Sequence, residues 1–452
     1  MGDKQERCIF FAVLSASFIM PFMASAINVA IPSMAVEFGM EAASLSWVVT
    51  SFLLGSASAL LPFGRLADMV GRKRLFRTGI LLVFFVTAGC GMAKSVGFLV
   101  LLRFFQGIAM AMIFSTGMAI LVESRAPSER GRVLGYSTAA VYSGLTFGPF
   151  LGGAITQYLG WRMIFFFTVA ILAGSWYMAR QMEDKRRCAG EQRFDYAGSV
   201  LYFFGSLSVL YGLSSYEKNE AAPWLVAGGC LLFALFLLEQ RFAGSPLLDL
   251  AFFRNVTFSM SNLAALLHYS STFAISFLLS LYLQLVRGLD EMSAGLVLLL
   301  QPVVMALFSP SAGKISDRFQ ARLVASFGMA MTSLGIFLLS SLEKDTPFSL
   351  VGGALLVVGI GFAFFSSPNS NAIMGSVRSD QLGVASSFMA IMRIFGQAIS
   401  MAVVTLLLQG YVVSGGGMED YLASLLQGIH GILRLFAGIC CVGVAVSLMR
   451  GK

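Results

Sequence analysis

Apolar stretches long enough to cross a bilayer, each needing roughly 20 residues, recur along this chain from Cys8 to Met449. Only short charged or turn-forming segments separate them. Composition points the same way: 57% of the residues are hydrophobic and 12% charged, whereas a soluble domain carries about 45–50% and about 25%. Mean hydropathy is +0.80. The expected fold class is an all-α, multi-pass membrane protein.

Splitting the chain at its charge and turn clusters predicts fourteen helices, near residues 8–32, 46–67, 75–93, 97–122, 133–158, 163–181, 196–214, 222–240, 257–285, 292–312, 322–342, 347–372, 383–410 and 428–448. The positive-inside rule tests the split. With a cytoplasmic N-terminus, only Lys94, Arg162, Lys218, Arg287 and Lys344 of the 31 Lys and Arg fall outside, and Arg103, Arg393 and Arg434 fall within helices. All the others lie on the cytoplasmic side, so both ends are expected there, and the net charge of +8 is mostly an orientation signal rather than a nucleic-acid footprint. Lys4, Arg7, an apolar run and "ASA" at 24–26 resemble a secretory signal; with so many spans following, the stretch is read as an uncleaved first helix.

No loop is long enough to fold as a domain. The longest polar stretch, "RQMEDKRRCAGEQRF" (180–194), links the expected halves. The expected division is an N-terminal six-helix bundle at 1–181, the link with two additional central helices at 182–256, and a C-terminal six-helix bundle at 257–452. Six cysteines, without a C-x-x-C pair and mostly inside apolar runs, read as small buried hydrophobes rather than metal ligands. No H-E-x-x-H, G-x-S-x-G or intramembrane acid pair suggests an enzyme. No metal or cofactor is expected, and function must lie within the bundle.

Two turns echo each other. "GRLADMVGRKR" (64–74) follows helix 2 and "GKISDRFQAR" (313–322) follows helix 10, each with Gly, then Asp four residues later, then a basic cluster. Such internal repeats mark secondary transporters, which hold substrate between two halves. "SGLTFGPFLGGA" (143–154) places Gly144, Gly148 and Gly152 on one helix face, with Pro149 and Gly153 beside them. In water such a helix would be poor; in lipid, small residues permit close packing, and Pro149, lacking its N–H, can kink the chain.

On these residues the chain resembles the major facilitator superfamily. The first turn resembles its motif A, "RFFQG" (103–107) its motif B, and the Gly-Pro stretch its motif C, associated with exporting antiporters. "INVAIP" (27–32), "LGWR" (159–162), "FDYAG" (194–198), "PLLDLAFFRN" (246–255) and "YLQLVRG" (282–288) resemble the fourteen-helix drug:proton antiporter branch. The resemblance implies efflux of small molecules by alternating access, with protons as counter-ions and the bilayer as surroundings; it implies no nucleic acid and fits a monomer. It also implies a cytoplasmic gate of Gly64, Asp68, Gly71 and Arg72 with Glu123 as partner, echoed by Gly313, Asp317 and Arg318. Asp68, just beyond helix 2, would face the start of helix 13, and Arg72, with Lys73 and Arg74, would pair with Glu123. Motif B would be Arg103, Gln106 and Gly107, and the motif C hinge Gly144, Gly148, Pro149, Gly152 and Gly153. The pattern departs at Met69, where a basic residue is usual, and at Gln320, which replaces the glycine matching Gly71 and predicts a less sharp second turn.

A second departure bears on chemistry. All 23 acidic residues fall at or beyond the helix ends, and the branch's helix-1 Asp, five residues before Asn28, is Met23 here. The expected core is instead basic. Arg103, roughly 8 Å from a helix end, is shallow enough to snorkel, and Arg434 is similarly shallow. Arg393, roughly 15 Å deep, lies one turn from Gln397. His268 is a candidate proton carrier or a neutral core histidine. Arg393, Gln397, His268, Arg434 and Asn28 are the candidate substrate or proton site. The expectation is an exporter of small organic or amphiphilic solutes, anionic or zwitterionic. A cationic multidrug:proton antiporter and a non-transporting membrane sensor are the alternatives.

Overall fold

The computed structural model describes residues 3–124, 130–182, 194–216, 219–244, 246–248, 250–377, 382–411 and 418–450. Among them are fourteen long helices: α1 (Asp3–Phe38), α2 (Ser46–Val70), α3 (Arg72–Gly91), α4 (Val96–Glu123), α5 (Arg130–Leu159), α6 (Arg162–Ala179), α7 (Tyr196–Ser214), α8 (Ala222–Phe242), α9 (Val256–Val286), α10 (Glu291–Arg318), α11 (Ala321–Leu339), α12 (Phe348–Gly375), α13 (Leu382–Tyr411) and α14 (Met418–Leu448). Thirteen carry a stretch long and apolar enough to span a membrane. The fourteenth, α5, has the length, but its glycines, Pro149 and hydroxyl side chains dilute its apolarity.

Helix starts follow local chemistry. Ser95, Asn255 and Asp290 cap α4, α9 and α10 by accepting from the N–H groups of Phe98, Phe258 and Ser293, donors that a helix start otherwise leaves unpaired. α2 runs to Val70, past the predicted limit, so Asp68 lies in its last turn rather than beyond it. Gly71 then turns the chain with φ 104°, a conformation that favours glycine. At the equivalent turn Gln320 has φ −58°, and the change of residue has changed the turn. α9 is not one regular helix: Val256–Thr272 and Ile275–Leu281 are separated by a short irregularity, and Tyr282–Val286 is a π segment.

Two compact units divide the chain. The first holds Met1–Ile27, Trp47–Gly148 and Ile155–Leu250, and the second Asn28–Ser46, Pro149–Ala154 and Ala251–Lys452. The additional pair α7–α8 groups with the first, where the Tyr202 hydroxyl donates to the Ala57 carbonyl at 3.0 Å and Tyr211 meets Trp47 ring to ring. In that unit α2 and α4 cross at backbone distance, at Gly55 and Gly107. In the second, α11 and α12 do the same at Gly328 and Gly361, beside a core of Ala264, Ala265, Ala325, Met329, Phe365 and Cys440. The division cuts α1 between Ile27 and Asn28, and α5 between Gly148 and Pro149.

Candidate functional site

The motif A turn is an ion-pair relay. Arg72 opens α3 directly after Gly71, so its guanidinium reaches back one turn. Nε and Nη2 donate to Asp68 Oδ1 at 3.1 and 2.9 Å, and Nη1 donates to Glu123 Oε1 at the end of α4. Arg72 and Glu123 are 34% and 60% exposed, so water screens the pair and its static worth is small. Glu123→Gln is expected to change unfolding stability by less than about 1 kcal/mol, checked by thermal unfolding. The start of α13, expected opposite Asp68, follows residues outside those described. Gly64 has open space where a side chain would point. In the second copy Gly313 lies 3.0 Å, measured from an ideal Cβ, from the Ser367 hydroxyl, Arg318 is exposed in the last turn of α10, and the Asp317 side chain lies outside the described set.

Motif B is a buried polar cluster. Arg103 does not snorkel: it is 2% exposed because its helix face looks onto α2 rather than toward the nearer helix end. Its Nε donates to the Val48 carbonyl at 3.0 Å, Nη1 donates to Gln106 Oε1, and the guanidinium lies 4.4 Å over the Phe52 ring. Gln106 in turn donates to Thr87 Oγ1 at 2.6 Å and to the Met23 sulfur at 3.8 Å. The position expected to hold an acid is thus occupied by a thioether that accepts one weak hydrogen bond. Met20, Met23, Phe52, Arg103, Gln106 and Met110 line a small cavity here.

Motif C is a stripe of close approaches on α5. An ideal Cβ on Gly144 would lie 2.4 Å from the Phe18 carbonyl oxygen, and one on Gly148 2.6 Å from Ser25 Cβ, both on α1. Beyond Pro149 the neighbour changes: a Cβ on Gly153 would lie 2.3 Å from the Glu291 carbonyl on α10, and Gly295 meets the Pro149 carbonyl. Gly152 is buried as well.

The remaining candidates do not form one cluster. Arg393 is half-buried midway along α13, and among the described residues it makes neither a hydrogen bond nor an ion pair. One turn on, Gln397 Oε1 is buried without a partner. Asn28 is 3% exposed with its Oδ1 unpaired. His268 is fully buried, stacked on Phe365 at 4.1 Å, with Nε2 3.4 Å from the Thr332 hydroxyl and Nδ1 unpaired. Arg434 is exposed and is not a core residue: α14 buries Ile429, Ile432, Leu433 and Phe436, and position 434 falls off that face. His430 contacts the Leu342 carbonyl through Nε2.

Two further polar contacts leave no pattern in the sequence. Gln284, on the π segment of α9, donates to the Val29 carbonyl at 2.8 Å and to Ser280 at 2.9 Å; π segments cluster at functional sites, but "YLQLVRG" carries no mark of one. Ser33 on α1 donates to Glu291 Oε1, a pairing invisible at a separation of 258 residues.

A helical membrane bundle with a repeated charged turn and a glycine stripe of close helix approaches has the features of a solute carrier rather than of an enzyme. The family model of the Major Facilitator Superfamily matches residues 13–401, and the chain belongs to that superfamily. It is 32% identical over 446 residues to the cephamycin export protein CmcT of Amycolatopsis lactamdurans, covering 96% of this chain and 89% of the relative. It is 26% identical over 450 residues to the riboflavin transporter RibZ of Clostridioides difficile (strain 630), covering 98% and 97%. Among solved structures, a POT family transporter in complex with 5-aminolevulinic acid superposes with TM-score 0.72 over 98% of this chain and 94% of its own, at 13% identity; that likeness is one of fold. The protein is an integral membrane transporter.

Proposed function

We infer that this chain exports small organic solutes, anionic or zwitterionic, by alternating access, and that Arg393 meets the solute's negative group. Arg393 carries the reading: a half-buried cation in mid-helix, with no acidic partner among the described residues, beside an unpaired amide oxygen on Gln397. An ionisable group at membrane depth is costly, and such groups mark solute or ion pathways. The direction is supported by relatives named for export, CmcT and the tetracenomycin C resistance and export protein of Streptomyces glaucescens. In this reading both ends are cytoplasmic and the Arg72 relay closes that side. The two six-helix halves rock, with α7–α8 travelling with the first. His268, enclosed by aromatic rings and a threonine, serves packing rather than proton transfer.

The test is thermal unfolding of purified wild type and Arg393→Ala with matched anionic, neutral and cationic amphiphiles. A ligand at about 100 times its Kd stabilises by about 2.7 kcal/mol. Anions are expected to stabilise wild type and to lose that effect in the variant. Equal stabilisation of both proteins by cations would instead make Arg393 structural and the chain a cationic multidrug exporter. Flux in liposomes separates either carrier from a sensor.

A further inference from the structure

Arg450 stands two residues past the end of α14, at the membrane boundary, with only 2% of its surface exposed. Nε, Nη1 and Nη2 are all buried without a hydrogen-bond partner. Burial pushes its pKa down to about 10, which leaves the guanidinium charged at neutral pH. A buried charge without a counter-charge is costly. The guanidinium fork fits two oxygens of one carboxylate or phosphate.

The neighbours favour phosphate. Arg322, in the first turn of α11, donates from Nη1 to the Arg450 carbonyl at 3.5 Å and from Nε to Gln320 Oε1 at 2.8 Å. Gln320 is the N-cap residue of α11, and its side chain makes no cap bond. The Leu323 N–H donates to the Gln320 carbonyl at 2.9 Å, so the 19-residue helix presents the N–H groups of Ala321 and Arg322 and the positive end of its dipole, an arrangement suited to phosphate. The last turn of α14 is held against this point by Ser326, which donates to Ser447 Oγ at 2.8 Å. Among the described residues neither arginine has an acidic partner. Helix ends at this depth lie among lipid headgroups.

We propose that Arg450, Arg322 and the N-terminus of α11 form a binding site for a phosphate group, carried by an anionic lipid or present as the free ion. The site is separate from Arg393 and does not depend on the transport reading. Its test uses the purified full chain in neutral detergent, followed by native mass spectrometry and thermal unfolding. The probes are phosphatidylglycerol, inorganic phosphate and, as the phosphate-free control, diacylglycerol. Wild type is expected to retain one phosphatidylglycerol and to be stabilised by it, with no response to diacylglycerol. Arg450→Leu is expected to fold without the ligand, its uncompensated charge gone, and to lose the response. Arg322→Gln, at the half-buried rim, is expected to weaken binding at least about tenfold should Arg450→Leu fail to fold. A full response to inorganic phosphate alone identifies the free ion as the ligand. Equal responses of wild type and variants to every probe, or no response of wild type, would overturn the site.

Discussion

Gly107→Val is expected to leave little folded protein. At this crossing α2 and α4 meet backbone to backbone. An ideal Cβ on Gly107 would lie 2.0 Å from the Phe52 carbonyl oxygen, and one on Gly55 2.2 Å from that of Phe104. The obstacles are main-chain atoms in the middle of two helices, so no rotamer change relieves them. The helices must separate, and separation also strains the bond from Ser56 Oγ to the Gly107 carbonyl at 3.0 Å. It would further disturb the Arg103 cluster one turn away, whose buried donors and acceptors would lose their partners. Overpacking usually costs about 1–3 kcal/mol; with backbone on both sides and a buried cation attached, a loss of at least about 3 kcal/mol is expected. Proteins are commonly stable by only about 5–15 kcal/mol. The measurement is the monodisperse yield in detergent and the unfolding midpoint. Gly64→Ala is the control, because nothing lies within 4 Å of its Cβ position; it should change stability by no more than about 1 kcal/mol. Wild-type behaviour of Gly107→Val would mean that the two helices do not meet this closely.

The contrast between Gly64 and Gly107 also shows what the sequence could convey. Both belong to recognisable motifs, yet spacing alone cannot tell a glycine at an open helix surface from one wedged against a carbonyl. Helix number was legible because a span needs a set length of apolar residues and charge clusters separate the spans. The Asp68–Arg72 pair was not legible: Gly71, at φ 104°, sets the two residues on different helices, so helical spacing does not relate them. Facing direction was not legible either. In a soluble helix the polar face marks the solvent side; in lipid both faces are apolar, so periodicity loses its contrast. Arg103 and Arg434 therefore looked alike as shallow core cations, although one is buried against the Val48 carbonyl and the other is exposed. Arg450 looked like one more charge beyond a last helix. Ser33 and Glu291, and Gln284 and Val29, are joined only by the fold.

Pro149→Ala is expected to separate stability from transport. Pro149 has no N–H to give the Leu145 carbonyl, so α5 is short of one helical hydrogen bond there. At that same residue α5 passes from one compact unit to the other. Below it Gly144 and Gly148 lie against the backbone of α1, and beyond it Gly153 lies against α10. A glycine face can slide, but a helix shared by two compact units can follow a change in their mutual angle only where it bends. Sharp bends occur where the hydrogen-bond ladder is already broken. Alanine restores the N–H, removes the ring and has the best helix propensity; the unfolding midpoint should therefore hold or rise. Binding, read as ligand-induced stabilisation, should persist. Solute flux in liposomes should fall at least about tenfold, equivalent to about 1.4 kcal/mol on the barrier of the conformational step. A merely structural proline would give the opposite pattern, with lower stability and flux lost only in proportion to folded protein. Unchanged flux with unchanged stability would place the bend elsewhere, and the division of α1 between Ile27 and Asn28 is the next position to test.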